Sequence, residues 1–246
     1  MIVTLVVLRL LEMKEIQKIN NQILIWDGIK HCKFEFASNE INYFRIAREC
    51  HLVLYRSAIE ALRGTANLTI KRLNSKKEIS CIYRLGYLPS YEIHKEKIEG
   101  CTKAWRFSRP KEAPLKEIDH THNLTDQKDN DDLIDFLDAL AMIQTDCFMQ
   151  RFTFSKTQQI SDADMKMLEW MHNKIRNEYE HFMPKFYILH IKDLLNSSYL
   201  ALSLSKFLIF NSGNVIIMEG KESIQKDFEN LLSVIREILN KFELSN

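Results

Sequence analysis

Residues 161–184 read SDADMKMLEWMHNKIRNEYEHFMP, one helix with a marked start and stop. Ser161 or Asp162 can cap its first turn, and Asp164 adds negative charge where the helix dipole is positive. Met165, Leu168, His172, Ile175, Tyr179 and Phe182 recur at three- and four-residue steps, the spacing of one buried helical face. Pro184 cannot continue the hydrogen bonding and disfavours helical geometry at Met183. A face of this kind requires partner helices, and the rest of the chain supplies them.

Ser38 or Asn39 opens a second strong helix, EINYFRIARECHLVLYRSAIEALRG, which ends at Gly64. Ile41, Phe44, Ala47, Arg48, His51, Leu52, Tyr55, Ile59 and Leu62 lie along one broad side. Its many ionisable groups, Arg45 to Arg63, are assigned mostly to the solvent face. Lys14 to Ile29 is read as helical, and His31 to Ala37 (HCKFEFA) alternates as an extended segment does. Leu133 to Phe152 is a helix with Leu133, Phe136, Leu137, Leu140, Ile143, Cys147 and Phe148 inward. Lys185 to Asn211 is apolar almost all round, which predicts a deeply buried helix or a subunit interface. Ser223 to Phe242 is amphipathic through Ile224, Phe228, Leu231, Leu232, Ile235 and Leu239. VIIMEG, residues 215–220, is a short strand or the tail of a loop.

Residues 65–130 break the helical rhythm. NLTIKRL and EISCIYRL, separated by NSKK, predict a hairpin, and Leu85 to Phe107 is aromatic, basic and irregular. Tyr87, Tyr91, Trp105 and Phe107 with Lys95, Lys97, Lys103 and Arg106 have the chemistry to stack bases and hold phosphates. The favoured reading is that these aromatics pack the segment onto the bundle. Ser108 to Asp132 is a long loop with little to bury. Asp119, His120 and His122 lack a convincing further ligand for a metal site, and Asp129 to Asp132 form the charged cap of the next helix. The fold class is therefore mainly α: a single helical-bundle domain over 1–246, with a small irregular and β-hairpin insertion and flexible loop at 65–130.

The chain carries 34 Lys and Arg against 33 Asp and Glu, so net charge offers no global attraction for nucleic acid. Any such binding needs a local patch. Five scattered Cys with no CxxC pair fit reduced thiols in a cytoplasmic protein. The apolar run of about eight residues at the start is too short to span a bilayer and lacks signal-peptide features, so it is read as a buried first helix or strand, and no membrane association is expected.

Chemistry concentrates at Arg176-Asn177-Glu178-Tyr179-Glu180-His181. On a regular helix Asn177 and His181 share a face, and Arg176 is displaced from His181 by about 140°; a turn at Pro184 can swing the two together. An arginine fork grips phosphate, and an imidazole titrates near neutral pH. In the bland alternative, Arg176, Glu178 and Glu180 are solvated and His181 is a helix-end histidine favoured by the dipole. With twelve Arg and eight His in the chain, the loose Arg-x(4–6)-His pattern is expected about once by chance. Requiring a gap of four and Asn, Asp or His after the Arg lowers this to roughly 0.06. A second loose match, Arg45 to His51, has Ile46 at the polar position and is read as coincidence.

Arg176, Asn177 and His181 resemble the Arg-polar-xxx-His motif of the HEPN family (higher eukaryotes and prokaryotes nucleotide-binding domains), which are helical bundles. The resemblance implies a metal-independent endoribonuclease of toxin or phage-defence type, without cofactor, acting on RNA, with tRNA among the candidates. It further implies a homodimer with two motifs facing each other, and an antitoxin protein as partner. His181 would move a proton between the ribose 2′-hydroxyl and the 5′-leaving oxygen; Arg176 would neutralise the phosphate; Asn177 would orient one or the other. Arg48 and Glu49, on the neighbouring helix, are the candidate supporting residues. Two alternatives stand beside this: a non-catalytic HEPN-like module that binds a nucleotide or a partner, and a structural helical protein.

Overall fold

In a computed structural model, the structure describes residues 20–63, 79–80, 92–108, 133–149, 152–177, 188–217 and 220–244. Helices dominate: α1 (Asn21–Phe36), α2 (Tyr43–Leu62), α3 (Phe136–Ile143), the single turn α4 (Asp146–Met149), α5 (Asp162–Met171), α6 (Ile191–Lys206) and α7 (Lys221–Leu244). Three short strands, β1 (Ile79–Ser80), β2 (Glu92–Lys97) and β3 (Trp105–Ser108), pair antiparallel in that order. The fold is mainly α with a small β element among the described residues 79–108.

The bundle is built around α2 rather than α5. Ile46, Ala47, Cys50, Val53, Leu54, Ala58, Ala61 and Leu62 are fully enclosed, so α2 is buried on more than one side. It packs on α1, α3, α6 and the end of α5. Each Leu or Ile removed from water here contributes about 1.5–3 kcal/mol. The helix starts at Asn42, not at Ser38 or Asn39: the Asn42 Oδ1 accepts the Arg45 amide at 3.0 Å. Glu35 completes the cap, accepting from Asn42 N and from Arg45 Nη1 at 3.0 Å each. Arg45 is thereby committed to a cap and His51 to the core, and the loose Arg45–His51 pattern makes no site.

Residues 31–36 are helical, not extended. Ile25, Gly28, Ile29, Cys32 and Glu35 recur at three- and four-residue steps and are buried, which leaves Phe34 pointing out at 77% exposure. The 133–152 segment is likewise two pieces, because α3 stops at Ile143 and Gln144 turns inward to bond Leu140 O and Ile160 N. On α6 the buried Ser198 and Ser205 hydroxyls donate to carbonyls four residues back, which lets an almost wholly apolar helix carry serines in its buried face. Residues 215–217 are loop, not strand.

The segment read as irregular contains a hairpin. Lys97 faces Trp105 and Lys95 faces Phe107 across β2 and β3. Trp105 meets Phe107 edge-on at 4.3 Å, and Phe107 packs on Phe148 at 5.3 Å. Phe107 therefore fastens the hairpin to the bundle, with Trp105 packed on Phe107. Arg106 is drawn into an ion pair with Asp162 at 2.7 Å. Tyr87, Tyr91, the NLTIKRL strand, the His120–His122 loop and residues 1–19 lie outside the described residues.

The hairpin turn is gathered by one carboxylate. Gly100 takes φ 77°, a left-handed conformation that glycine adopts without strain. The amides of Thr102 (2.9 Å), Lys103 and Ala104 (3.1 Å) and the Thr102 hydroxyl (3.0 Å) then all donate to Glu169 of α5. These bonds hold the Glu169 carboxyl below the usual carboxylate range, against a burial that pushes it up. Glu169→Ala is expected to destabilise the protein by about 2–3 kcal/mol in urea unfolding and to speed amide exchange at 102–104. Unchanged exchange at those amides would show that the turn does not depend on the carboxylate.

Candidate functional site

Two helices each present a polar pair at four-residue spacing to the same place. On α2 these are His51 and Tyr55. Past Met171 the α5 helix loosens into a π-helical stretch, His172–Asn177, which carries His172 and Arg176. Residues four apart lie on one face, so α2 and the end of α5 meet polar strip to polar strip within an apolar core. Such π stretches occur frequently at functional sites.

His51 Nε2 lies 3.1 Å from His172 Nδ1. Phe136 of α3 packs against both rings, 4.3 Å from His51 and 5.0 Å from His172. Tyr55 meets the same Phe136 edge-on and donates its hydroxyl to Ile134 O. His51 is 1% exposed and His172 8%. Among the described residues the buried His51 Nδ1 has no hydrogen-bond partner.

Burial pushes the His51 pKa down to about 3, with further lowering from His172 and Arg176. Burial likewise pushes His172 down to about 4; Arg176 and then Lys103 lower it further, while Asp135 and Glu169 oppose. Burial raises the Tyr55 phenol to about 12, with Arg176 opposing and Asp135 and Asp138 adding. Both imidazoles are therefore neutral at pH 7, and Tyr55 is a phenol, not a phenolate. Arg176 is the fixed positive charge common to all three groups.

Of the residues singled out from the sequence, Arg176 and Asn177 sit half-buried at the end of the π stretch. His181 lies outside the described residues, as do Glu178 to Pro184. Arg48 and Glu49 lie within 4.0 Å of each other, Arg48 half-exposed. Glu49 faces α1, beside Gly28 and Cys32, so it does not join His51 and Tyr55. The titratable groups of α2 that feel the Arg176 charge are His51 and Tyr55, which periodicity had counted only as members of a buried face.

An apolar groove of about 550 Å³, lined among others by Phe152, Phe154, Phe210 and Ile216, has Lys221 as its one charged lining residue among the described residues, and the histidine pair does not line it. Among the described residues no group of three or more His, Cys, Asp and Glu is placed to hold a metal ion, and no helix is long and apolar enough to cross a membrane. No family model, curated protein or solved structure matches this chain.

Proposed function

We propose that the chain is a metal-independent endoribonuclease of HEPN type, with Arg176, Asn177 and His181 as its site. The observation that carries the reading is the setting of Arg176: a half-buried arginine at the end of the π stretch, whose positive charge acts on two neutral imidazoles and a phenol. A phosphate brought there meets a partly desolvated charge, and its interaction with developing negative charge is stronger than in water.

In the reaction, the ribose 2′-oxygen attacks phosphorus, the new O2′–P bond forms and the P–O5′ bond breaks. A general base takes the 2′-hydroxyl proton, and a general acid returns one to the 5′-oxygen. His181 moves the proton, a role worth about 10²–10⁴ in rate. Arg176 neutralises the phosphorane, and Asn177 orients phosphate or imidazole. The products are a 2′,3′-cyclic phosphate and a 5′-hydroxyl. The working unit is a homodimer with two such motifs facing each other, in the cytoplasm, and of toxin or phage-defence type with an antitoxin partner.

The test is cleavage of total tRNA and of a structured RNA by purified protein in EDTA, beside His181→Ala. Cleavage lost in the variant, with the far-UV spectrum unchanged, supports the assignment. Equal cleavage by both proteins, or none by either, returns the chain to the binding-module or structural readings.

A further inference from the structure

A buried histidine pair is a costly way to fill a core. Leucine or phenylalanine would occupy the same space without two polar rings and without the orphaned His51 Nδ1, whose missing partner costs free energy. Where local rules of core construction are broken, function is the usual reason.

Proton counting fixes the arrangement of the pair. Each neutral imidazole carries one N–H and one lone pair. If His172 Nδ1 donated, His51 Nε2 would accept and His51 Nδ1 would be a buried N–H with no acceptor. If His51 Nε2 donates, the orphan is only a lone pair, the cheaper of the two. His172 then accepts at Nδ1 and must carry its proton on Nε2, on the side of the ring away from His51. Of the two rings His172 keeps the residual exposure, and Arg176 follows four residues later.

We propose that His172 is a second phosphate-contacting donor beside Arg176, locked by His51 as a neutral imidazole that offers its Nε2–H to a phosphate oxygen. The proposal rests on the phosphate-handling role of Arg176 argued above and adds a residue to that site. His51 is a positioning residue: it fixes the tautomer and touches no substrate. The charged and titratable groups around His172 are His51 on α2, Arg176 and Glu169 on its own helix, Lys103 in the hairpin turn and Asp135 ahead of α3. Burial, then Arg176 and Lys103, oppose its protonation and outweigh Asp135 and Glu169, so the donor stays neutral at pH 7. The division of labour follows: His181 transfers the proton, and His172 stabilises charge without exchanging its own.

Imidazole nitrogen and proton resonances of the ¹⁵N-labelled full chain test this without reference to activity. His172 is expected as the Nε2–H tautomer, not titrating between pH 5 and 8. Inorganic phosphate in the tens of millimolar is expected to shift its Nε2–H signal, and to leave it unmoved in Arg176→Ala. An Nδ1–H tautomer, an imidazolium near pH 6.5, or a signal indifferent to phosphate overturns the proposal. In RNA cleavage, His172→Leu is expected to lose on the order of 10²-fold, and His172→Gln, which keeps an N–H donor, to retain more. If His172→Leu cleaves as the wild type does while His181→Ala does not, the ribonuclease reading stands and this proposal falls. If wild-type protein never cleaves RNA yet phosphate shifts His172, the anion site stands and the ribonuclease reading falls.

Discussion

Acidification from pH 7 to pH 3.5 is expected to cost this protein a large share of its stability, with the loss beginning below pH 6.5. The unfolded chain protonates His51 and His172 near pH 6.5, whereas the folded chain resists until about pH 3 and about pH 4. Between those limits the unfolded state binds more protons, so stability rises with pH. It is fully present above 6.5 and is lost as the pH falls towards the folded values. For His172 alone the loss amounts to roughly 3 kcal/mol, against a total of about 5–15 kcal/mol for a typical domain. Glu169, held below its ordinary range, adds a further loss only below about pH 4.5. Urea midpoints at pH 7, 5.5 and 4.5 separate the two, because only the histidines act in that window. The double variant His51→Leu/His172→Leu is expected to flatten the dependence between pH 7 and 4.5. A wild-type midpoint that does not move there would mean the pair is not buried neutral.

Arg176→Ala is expected to reduce RNA cleavage by on the order of 10³-fold, the scale on which removal of a preorganised donor acts. Arg176→Lys is expected to recover little, since a point charge on a flexible stem does not reproduce a planar fork. The same substitution carries a second expectation that is independent of catalysis. Because the Arg176 charge lowers both histidine pKa values, its removal raises them towards 6.5. The variant should therefore lose less stability between pH 7 and 4.5 than the wild type. An Arg176→Ala protein with the wild-type acid profile would place the guanidinium away from the pair, and the site with it.

The helical bundle was legible because long apolar periodicities survive without knowledge of partners: the faces of α2, α5 and α7 and the Ser161 cap, whose hydroxyl accepts the Asp164 amide at 3.1 Å, all follow from spacing and cap chemistry. HCKFEF misled because its alternation mimics a strand, while the helical steps from Ile25 to Glu35 run through residues outside that window. The β2–β3 hairpin was hidden because Glu92–Lys97 is polar but for Ile93, and its turn is fixed by Glu169, more than sixty residues away. The π stretch leaves no mark in composition.

At the site, Arg176 stood out through its motif, but its surroundings did not. His51 and His172 are 121 residues apart, and each alone looks like a satisfied core histidine. The one available signal was a titratable residue on the inward face of two separate helices. The solvent-face assignment for α2 failed for the related reason that α2 is enclosed on several sides. Glu60 is buried against water and bonded by Arg63, and Arg56 reaches across to Leu24 O at 3.1 Å. A helix at the centre of a bundle has to pair its charges, and it shows no clean polar stripe.

The most direct measurement is the chemistry of the ends left on a defined RNA oligomer after incubation with the purified chain in EDTA, read by mass. The account predicts 2′,3′-cyclic phosphate and 5′-hydroxyl ends, and no cut where the nucleotide at the cleavage site is 2′-deoxy. Ends bearing 5′-phosphate and 3′-hydroxyl, or an oligomer recovered intact, would contradict it.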